Sequence, residues 1–196
     1  ETIDIDDQAD QGPFRMPVQW VNRPNLDFRC FAGTIVGGTI SVGDPIRVLP
    51  GGQTSTVARI VAPDGDAPTA GAGQAVTICL ADEIDVSRGD VLAAADDPPE
   101  VADQFEAHIV WMHEHQMLPG RPYLIKIGTR VVGATIEQPK YRINVNTLEH
   151  SAAKTLELNE IGVANINLDR PIPFDPYTEN RDMGGFIIID RLTNAT

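Results

Sequence analysis

His113-Glu114-His115 places two imidazoles around a carboxylate, and on a strand both histidines would face one side. That is the beginning of a metal site, because zinc takes imidazole nitrogens and carboxylates. A third ligand is missing. His108 has the opposite parity, and His150 is distant in sequence. The residues that follow, Gln116-Met117-Leu118-Pro119-Gly120, have the composition of a loop. The expectation is an exposed loop that holds no metal.

Carboxylates cluster at Glu1 to Asp7, Asp82-Glu83 and Asp96-Asp97. General acid or base work needs a carboxylate in a poorly polarisable setting. These clusters fall in turns and tails, where water solvates them, so no catalytic residue is assigned. There is no Gly-x-Ser-x-Gly elbow. Gly37-Gly38 and Gly71-x-Gly73 lack the strand-loop-helix setting and the lysine of a phosphate cradle, and read as turns. Cys30 and Cys79 lie in apolar, strand-like text with no histidine partner. Buried free thiols in a reducing compartment are expected, since a disulfide would require facing strands.

The composition bounds the partners. Lys+Arg 15 against Asp+Glu 28 leaves a net charge of -13. Such a field opposes nucleic acid and anionic membranes. The imbalance is steeper over residues 1–100, with 16 acids and 6 bases, than over 101–196, with 12 and 9. No signal peptide, membrane-spanning run or lipidation motif is present in the text.

Hydrophobic residues make up 42% and aromatics 6%, so the cores must be aliphatic. Gly 17 and Pro 15 are spread along the chain, as short strands and turns require. Residues 1–12 are acidic and unpatterned, and read as a tether. Alternation then places Phe14, Met16, Val18 and Trp20 on one side. Strand text follows at Phe28 to Ile35, Thr39 to Val42, Pro45 to Leu49, Thr54 to Val61 and Gln74 to Leu80. Gly33 interrupts one of these, which predicts a bulge or a close backbone approach. Pro50-Gly51-Gly52 is a hairpin tip. Val57 and Ile60 are core candidates.

Asp96-Asp97-Pro98-Pro99 marks a domain boundary, because proline removes backbone donors. A second series runs through Gln104 to Met112, Pro122 to Ile127, Arg130 to Ile136, Tyr141 to Leu148, Ile161 to Leu168 and Phe186 to Asp190. Lys154 to Leu158 alternates as well. Val131, Ile136, Ile143, Val145, Ile166 and Leu168 are its expected core. The fold class is therefore all-β, with small antiparallel barrels over 13–97 and 101–196, since closure removes exposed edges.

Lys140-Tyr141-Arg142 opens one strand with a basic-aromatic cluster. Arginine and tyrosine make good protein contacts. Arg29, Lys140, Tyr141, Arg142 and Arg181 are the candidate interface residues, chosen by side-chain type.

Longer blocks carry a family resemblance. Leu26-Asp27-Phe28-Arg29-x-x-Ala32-Gly33-Thr34-Ile35, Gly43-Asp44 and Leu49-Pro50-x-Gly52 resemble the second domain of elongation-factor-like GTPases. Asp82-Glu83-Ile84-Asp85-Val86-Ser87-Arg88-Gly89-Asp90-Val91-Leu92 narrows the resemblance to the large GTPase subunits of bacterial sulfate adenylyltransferases. So do Tyr141-Arg142-x-x-Val145-Asn146-Thr147-Leu148-Glu149-His150, Phe174-Asp175-Pro176-Tyr177-x-Glu179-Asn180-Arg181 and Ile189-Asp190-Arg191-Leu192-Thr193-Asn194-Ala195-Thr196. The text contains no GxxxxGK[ST] or NKxD motif.

The resemblance implies the second and third domains of such a subunit, a translation-factor-like barrel and an elongation-factor C-terminal-like barrel. It implies that GTP and Mg2+ belong to an N-terminal GTPase domain beyond residues 1–12. ATP would belong to a small catalytic subunit that makes adenosine 5'-phosphosulfate and pyrophosphate from ATP and sulfate. An adenylylsulfate kinase domain follows in some members. The setting implied is cytoplasmic sulfate assimilation, with no cofactor and no activity in these barrels alone. The rival expectations are barrels that bind tRNA or other RNA, and a stand-alone interaction module. The net charge argues against RNA.

Overall fold

The computed structural model describes residues 12–25 and 28–196. Residues 1–11, with the expected acidic tether and the Glu1 to Asp7 cluster, lie outside the described residues, as do Leu26 and Asp27. The chain divides into two units. The first runs to Val101 and also takes in 128–130 and 173–185. The second holds 102–127, 131–172 and 186–196. Both are antiparallel β structures, and the described residues contain one short helix.

In the first unit, β1 (Arg15–Pro17), β2 (Trp20–Asn25), β3 (Phe28–Thr34), β4 (Thr39–Ser41), β5 (Pro45–Leu49), β6 (Gln53–Ala62), β7 (Gly65–Ala67), β8 (Thr69–Gly71), β9 (Ala75–Leu80) and β10 (Val91–Ala94) follow in order. The main sheet is 8-stranded, in the order β1-β10-β5-β6-β9-β3-β2, with β7 on β6. β4 and β8 form a separate pair.

The two ends of that order are joined in the chain. Val18 N–H donates to Asp90 O at 2.8 Å, and the next residue, Gln19, donates to Ala32 O at 2.9 Å. The chain thus passes from β10 to β3 within two residues, and the sheet curls shut. Closure leaves no long open edge. It also explains a correction. Phe14, Met16 and Val18 are buried as alternation predicts, but Trp20 is 64% exposed. The change of partner after Pro17 resets which side faces inward, and Val21 packs against the core instead.

That core holds Phe14, Met16, Phe31, Ile46, Val57, Ile60, Ile78 and Leu92 among its members. Gly33 sits where β3 passes β1. A Cβ there would lie 2.5 Å from Pro17 O and 3.0 Å from Met16 Cγ, so the glycine permits a close backbone approach.

The cysteines overturn the free-thiol expectation: Cys30 and Cys79 are joined as a disulfide. β3 and β9 are neighbours, and Cys30 is the direct partner of Cys79 in their register. Their Cα atoms are 4.2 Å apart, the spacing of a narrow antiparallel pair whose side chains meet.

Mostly in the second unit, β11 (Glu100–Val110), β12 (Pro122–Ile127), β13 (Arg130–Ile136), β14 (Tyr141–Ile143), β15 (His150–Ser151), β16 (Ile161–Phe174) and β17 (Phe186–Asp190) form a 7-stranded sheet. Its order is β15-β14-β16-β13-β12-β17, with β11 on β16. Tyr123, Ile125, Ile136, Leu156, Val163 and Ile166 are buried there.

Two core expectations fail. Val131 is 49% exposed while Val132 is 2% exposed. A strand repeats every two residues, so 131 and 136 cannot both face inward, and β13 seats 132, 134 and 136. Val145 is 59% exposed because the chain leaves the sheet after Ile143. Ile143 and Leu168 are half-buried. Lys154 to Leu158 is irregular rather than strand, yet Leu156 is fully buried, with its carbonyl accepting from Met117 N–H at 2.8 Å.

Candidate interaction surfaces

Within the first unit, segment 173–185 is pinned by one arginine. Arg15 Nε donates to Asp175 Oδ2 at 2.8 Å and Nη2 to Oδ1 at 3.1 Å. Nη1 donates to Phe14 O at 3.1 Å and Asp97 O at 2.7 Å. The guanidinium is neutralised, and its planar fork is matched by the carboxylate. Helix α1 (Arg181–Gly184) follows. Asn180 caps it, its Oδ1 accepting from Asp182 N–H and Met183 N–H at 3.1 Å each. Asn180 Nδ2 also donates to Val36 O at 3.0 Å. Met183 is buried with Leu49, Val91 and Ala93. The Asn-x-x-Met spacing was a readable helix start. The Arg15–Asp175 pair had no sequence signal, since charge totals carry no pairing information.

Beside this clamp lies a cavity of about 260 Å³ lined by Arg15, Asp97, Glu100, Asp175, Glu179 and Asn180, among others. Its cation is already satisfied. Turn 128–130 belongs to the same unit, and Arg130 donates to Gly89 O at 3.0 Å and to Asp90 Oδ1 at 2.5 Å. Burial pushes the Asp90 carboxyl up, against the opposing pull of the Ser87 amide and Arg130.

Of the five residues selected from sequence, three come together in the second unit. Lys140, Tyr141 and Arg142 lie at the start of a hairpin made by β14, the loop 144–149 and β15. Lys140 Nζ pairs with Glu106. Tyr141 stacks on His150, with ring centroids 4.1 Å apart and planes 11° from parallel. Arg142 donates to Ser151 Oγ at 3.0 Å and Glu160 Oε1 at 2.5 Å. The loop is built by Asn144, whose Oδ1 accepts from Asn146 N–H at 2.9 Å and Thr147 N–H at 3.3 Å.

Leu148 takes a φ of 60° in this loop and is 73% exposed. The hairpin therefore presents Val145 and Leu148 on a tip braced by paired cations and a stacked aromatic. Next to it, the side-chain amides of Asn167 and then Asn165 hold the Glu137 carboxyl below its ordinary range. Sequence reasoning missed His150, Ser151 and Glu160, which share no local spacing with their partners.

Arg29 and Arg181 belong to the first unit. Arg29 on β3 reaches Asp85 Oδ1 at 3.3 Å, and its guanidinium carbon lies 5.9 Å from the Phe31 ring centroid. Arg181 opens α1 and is exposed.

The histidine pair sits in a loop, where His115 N–H donates to His113 Nδ1 at 3.0 Å. That nitrogen is already engaged, and among the described residues no group of three His, Cys, Asp or Glu is placed to hold a metal ion. Among those residues, too, no helix is long and apolar enough to cross a membrane.

A family described as GTP-eEF1A C-terminal domain-like matches residues 104–196. Sulfate adenylyltransferase subunit 1 of Aeromonas salmonicida is 50% identical over 196 residues, which is 100% of this chain and 42% of that protein. The bifunctional enzyme NodQ of Rhizobium sp. strain N33 is 52% identical, again over 100% of this chain but 30% of its own length. The chain thus spans well under half of these relatives. The crystal structure of Sup35 complexed with GDP superposes with a TM-score of 0.85 over 96% of this chain and 47% of its own, at 20% identity. At that identity the likeness concerns the fold. Residues 104–196 thus match the elongation-factor C-terminal-like family, and the whole chain is similar to part of the sulfate adenylyltransferase large subunit and of NodQ.

Proposed function

We propose that these two β units are the non-catalytic body of a GTPase subunit of ATP sulfurylase. In this reading a GTPase domain preceding them binds GTP and Mg2+, and the small catalytic subunit binds ATP. GTP hydrolysis drives formation of adenosine 5'-phosphosulfate and pyrophosphate from ATP and sulfate in the cytoplasm. The observation that carries the reading is identity of 50% along the whole chain with sulfate adenylyltransferase subunit 1. The matching bifunctional relatives are longer, which leaves room for an adenylylsulfate kinase domain.

The physical role follows from the parts. A nucleotide switch moves small loops, and such motion reaches a distant active site only through a bistable arrangement of stiff bodies. Antiparallel sheets with aliphatic cores provide stiffness. The 141–151 hairpin, with Tyr141 and Arg142 braced and Val145 and Leu148 exposed, provides a surface on which a protein partner can dock.

Calorimetric titration of the chain with the purified small subunit tests this. Micromolar or tighter binding supports docking through these units. Absence of heat at two temperatures, with binding restored by the longer subunit, moves the interface to the GTPase domain. Salt-dependent binding of aminoacyl-tRNA instead would overturn the reading in favour of an RNA-binding role.

A further inference from the structure

Cys30 and Cys79 carry chemistry that the proposed function does not use. Their bond spans 49 positions and joins the outer side of two neighbouring strands. The inner side of the same strands is held independently. Phe31 pairs with Ile78 and Gly33 with Val76 in continuous register, and Phe31, Ile78 and Val76 are members of the core. Disulfides are indispensable in small domains that lack a core. This unit has one, so the bond can open without dismantling the sheet, and the register keeps the two sulfurs facing each other after it opens.

The two sulfurs are unequal. Cys30 is 1% exposed, whereas Cys79 is partly exposed. Arg59 is the direct partner of Cys79 on β6, on the same outer row. Its guanidinium is paired with Asp66, at 2.8 Å.

We propose that Cys30–Cys79 is a reversible thiol–disulfide exchange site, with Cys79 as the entry sulfur and a dithiol as its reductant. A dithiol thiolate attacks Cys79 Sγ in line with the existing bond. A mixed disulfide forms between the reductant and Cys79, and the electron pair of the broken bond leaves on Cys30 Sγ, which takes a proton. The reductant's second thiol, as thiolate, then attacks its own sulfur in the mixed disulfide. Cys79 leaves as thiolate and is protonated, and the reductant departs as a disulfide. The protein gains two electrons and two protons, and the dithiol loses the same. Glutathione disulfide runs the sequence backwards through glutathionylated Cys79.

The test begins with the unaltered chain, alkylated in native buffer before and after dithiothreitol and mapped by peptide mass spectrometry. Neither cysteine is expected to label before reduction. Cys79 should label after it, with far-ultraviolet circular dichroism unchanged. Free thiols at both positions in aerated buffer would overturn the proposal, as would reduction that proceeds only in denaturant. Next, glutathione disulfide is offered to Cys30→Ser and Cys79→Ser. The adduct is expected on Cys79 at least about tenfold faster than on Cys30, following access to the sulfur. Equal rates would overturn the assignment of the entry sulfur. If either variant fails to fold, the reduced unaltered chain is used, and the first-formed mixed disulfide is trapped by acid quench and located.

Discussion

Arg15 and Asp175 lie 160 positions apart and meet in a two-pronged ion pair, Nε to Oδ2 at 2.8 Å and Nη2 to Oδ1 at 3.1 Å. Side-chain exposures of 3% and 11% take both charges out of water. Removing one partner leaves the other buried without compensation. Arg15→Ala is therefore expected to lower stability by about 3–5 kcal/mol. Replacing both residues by apolar ones of similar size should cost clearly less. Urea unfolding of the three proteins checks this, and equal losses for the single and double changes would contradict it.

Gly33 and Gly43 separate two reasons for a glycine. At Gly33 a methyl group would collide with Pro17 O at 2.5 Å, in backbone that cannot yield locally. At Gly43 the space is open but φ is +95°. Gly33→Ala should cost about 2–3 kcal/mol through overpacking. Gly43→Ala should cost about 1 kcal/mol through the backbone alone. Thermal melts of both variants test the order.

Three carboxylates predict a pH dependence with opposite signs. The amides of Leu192 and Thr193, together with Arg121, hold Asp190 below its ordinary range, and Asn167 and Asn165 do so for Glu137. For a depressed folded-state value, the stabilisation is present above the unfolded value, about 3.9 for Asp and 4.3 for Glu. It is lost as pH falls through the folded value. Asp90 is raised by burial, so its contribution is present below about 3.9 and lost as pH rises through its folded value. Carboxyl-carbon NMR should show Asp90 titrating above its ordinary range, and Asp190 and Glu137 below theirs. Asp190→Asn and Glu137→Gln should each flatten the acid limb of the stability curve.

The hairpin prediction concerns the proposed partner. Tyr141→Ala and Arg142→Glu are each expected to weaken small-subunit binding about tenfold or more, the scale of an interface hot spot. Tyr141 is half-buried and Arg142 is exposed, so the chain's own melting should change by about 1 kcal/mol or less. Calorimetry beside thermal melts separates the two effects. Binding that is unchanged in both variants would remove this hairpin from the interface.

The expectations that failed share a cause. Trp20 continues the parity of Phe14, Met16 and Val18, yet it is exposed because the chain changes partner strand after Pro17. Val145 follows Ile143 in strand-like text, but Asn144 turns the chain out of the sheet. Periodicity describes a strand once it exists and does not reveal which neighbour it pairs with.

Strand character, turns and the close approach at Gly33 were written in the sequence, because alternation, glycine and proline act over a few residues. The resemblance to sulfate adenylyltransferase large subunits was written there too, in blocks longer than any single motif. Only the tertiary structure decided that Arg15 takes Asp175, that Tyr141 stacks on His150, and that Cys30 faces Cys79. Each of these depends on strand order and register. Register is fixed by burial summed over a whole sheet, and no local window of residues contains that sum.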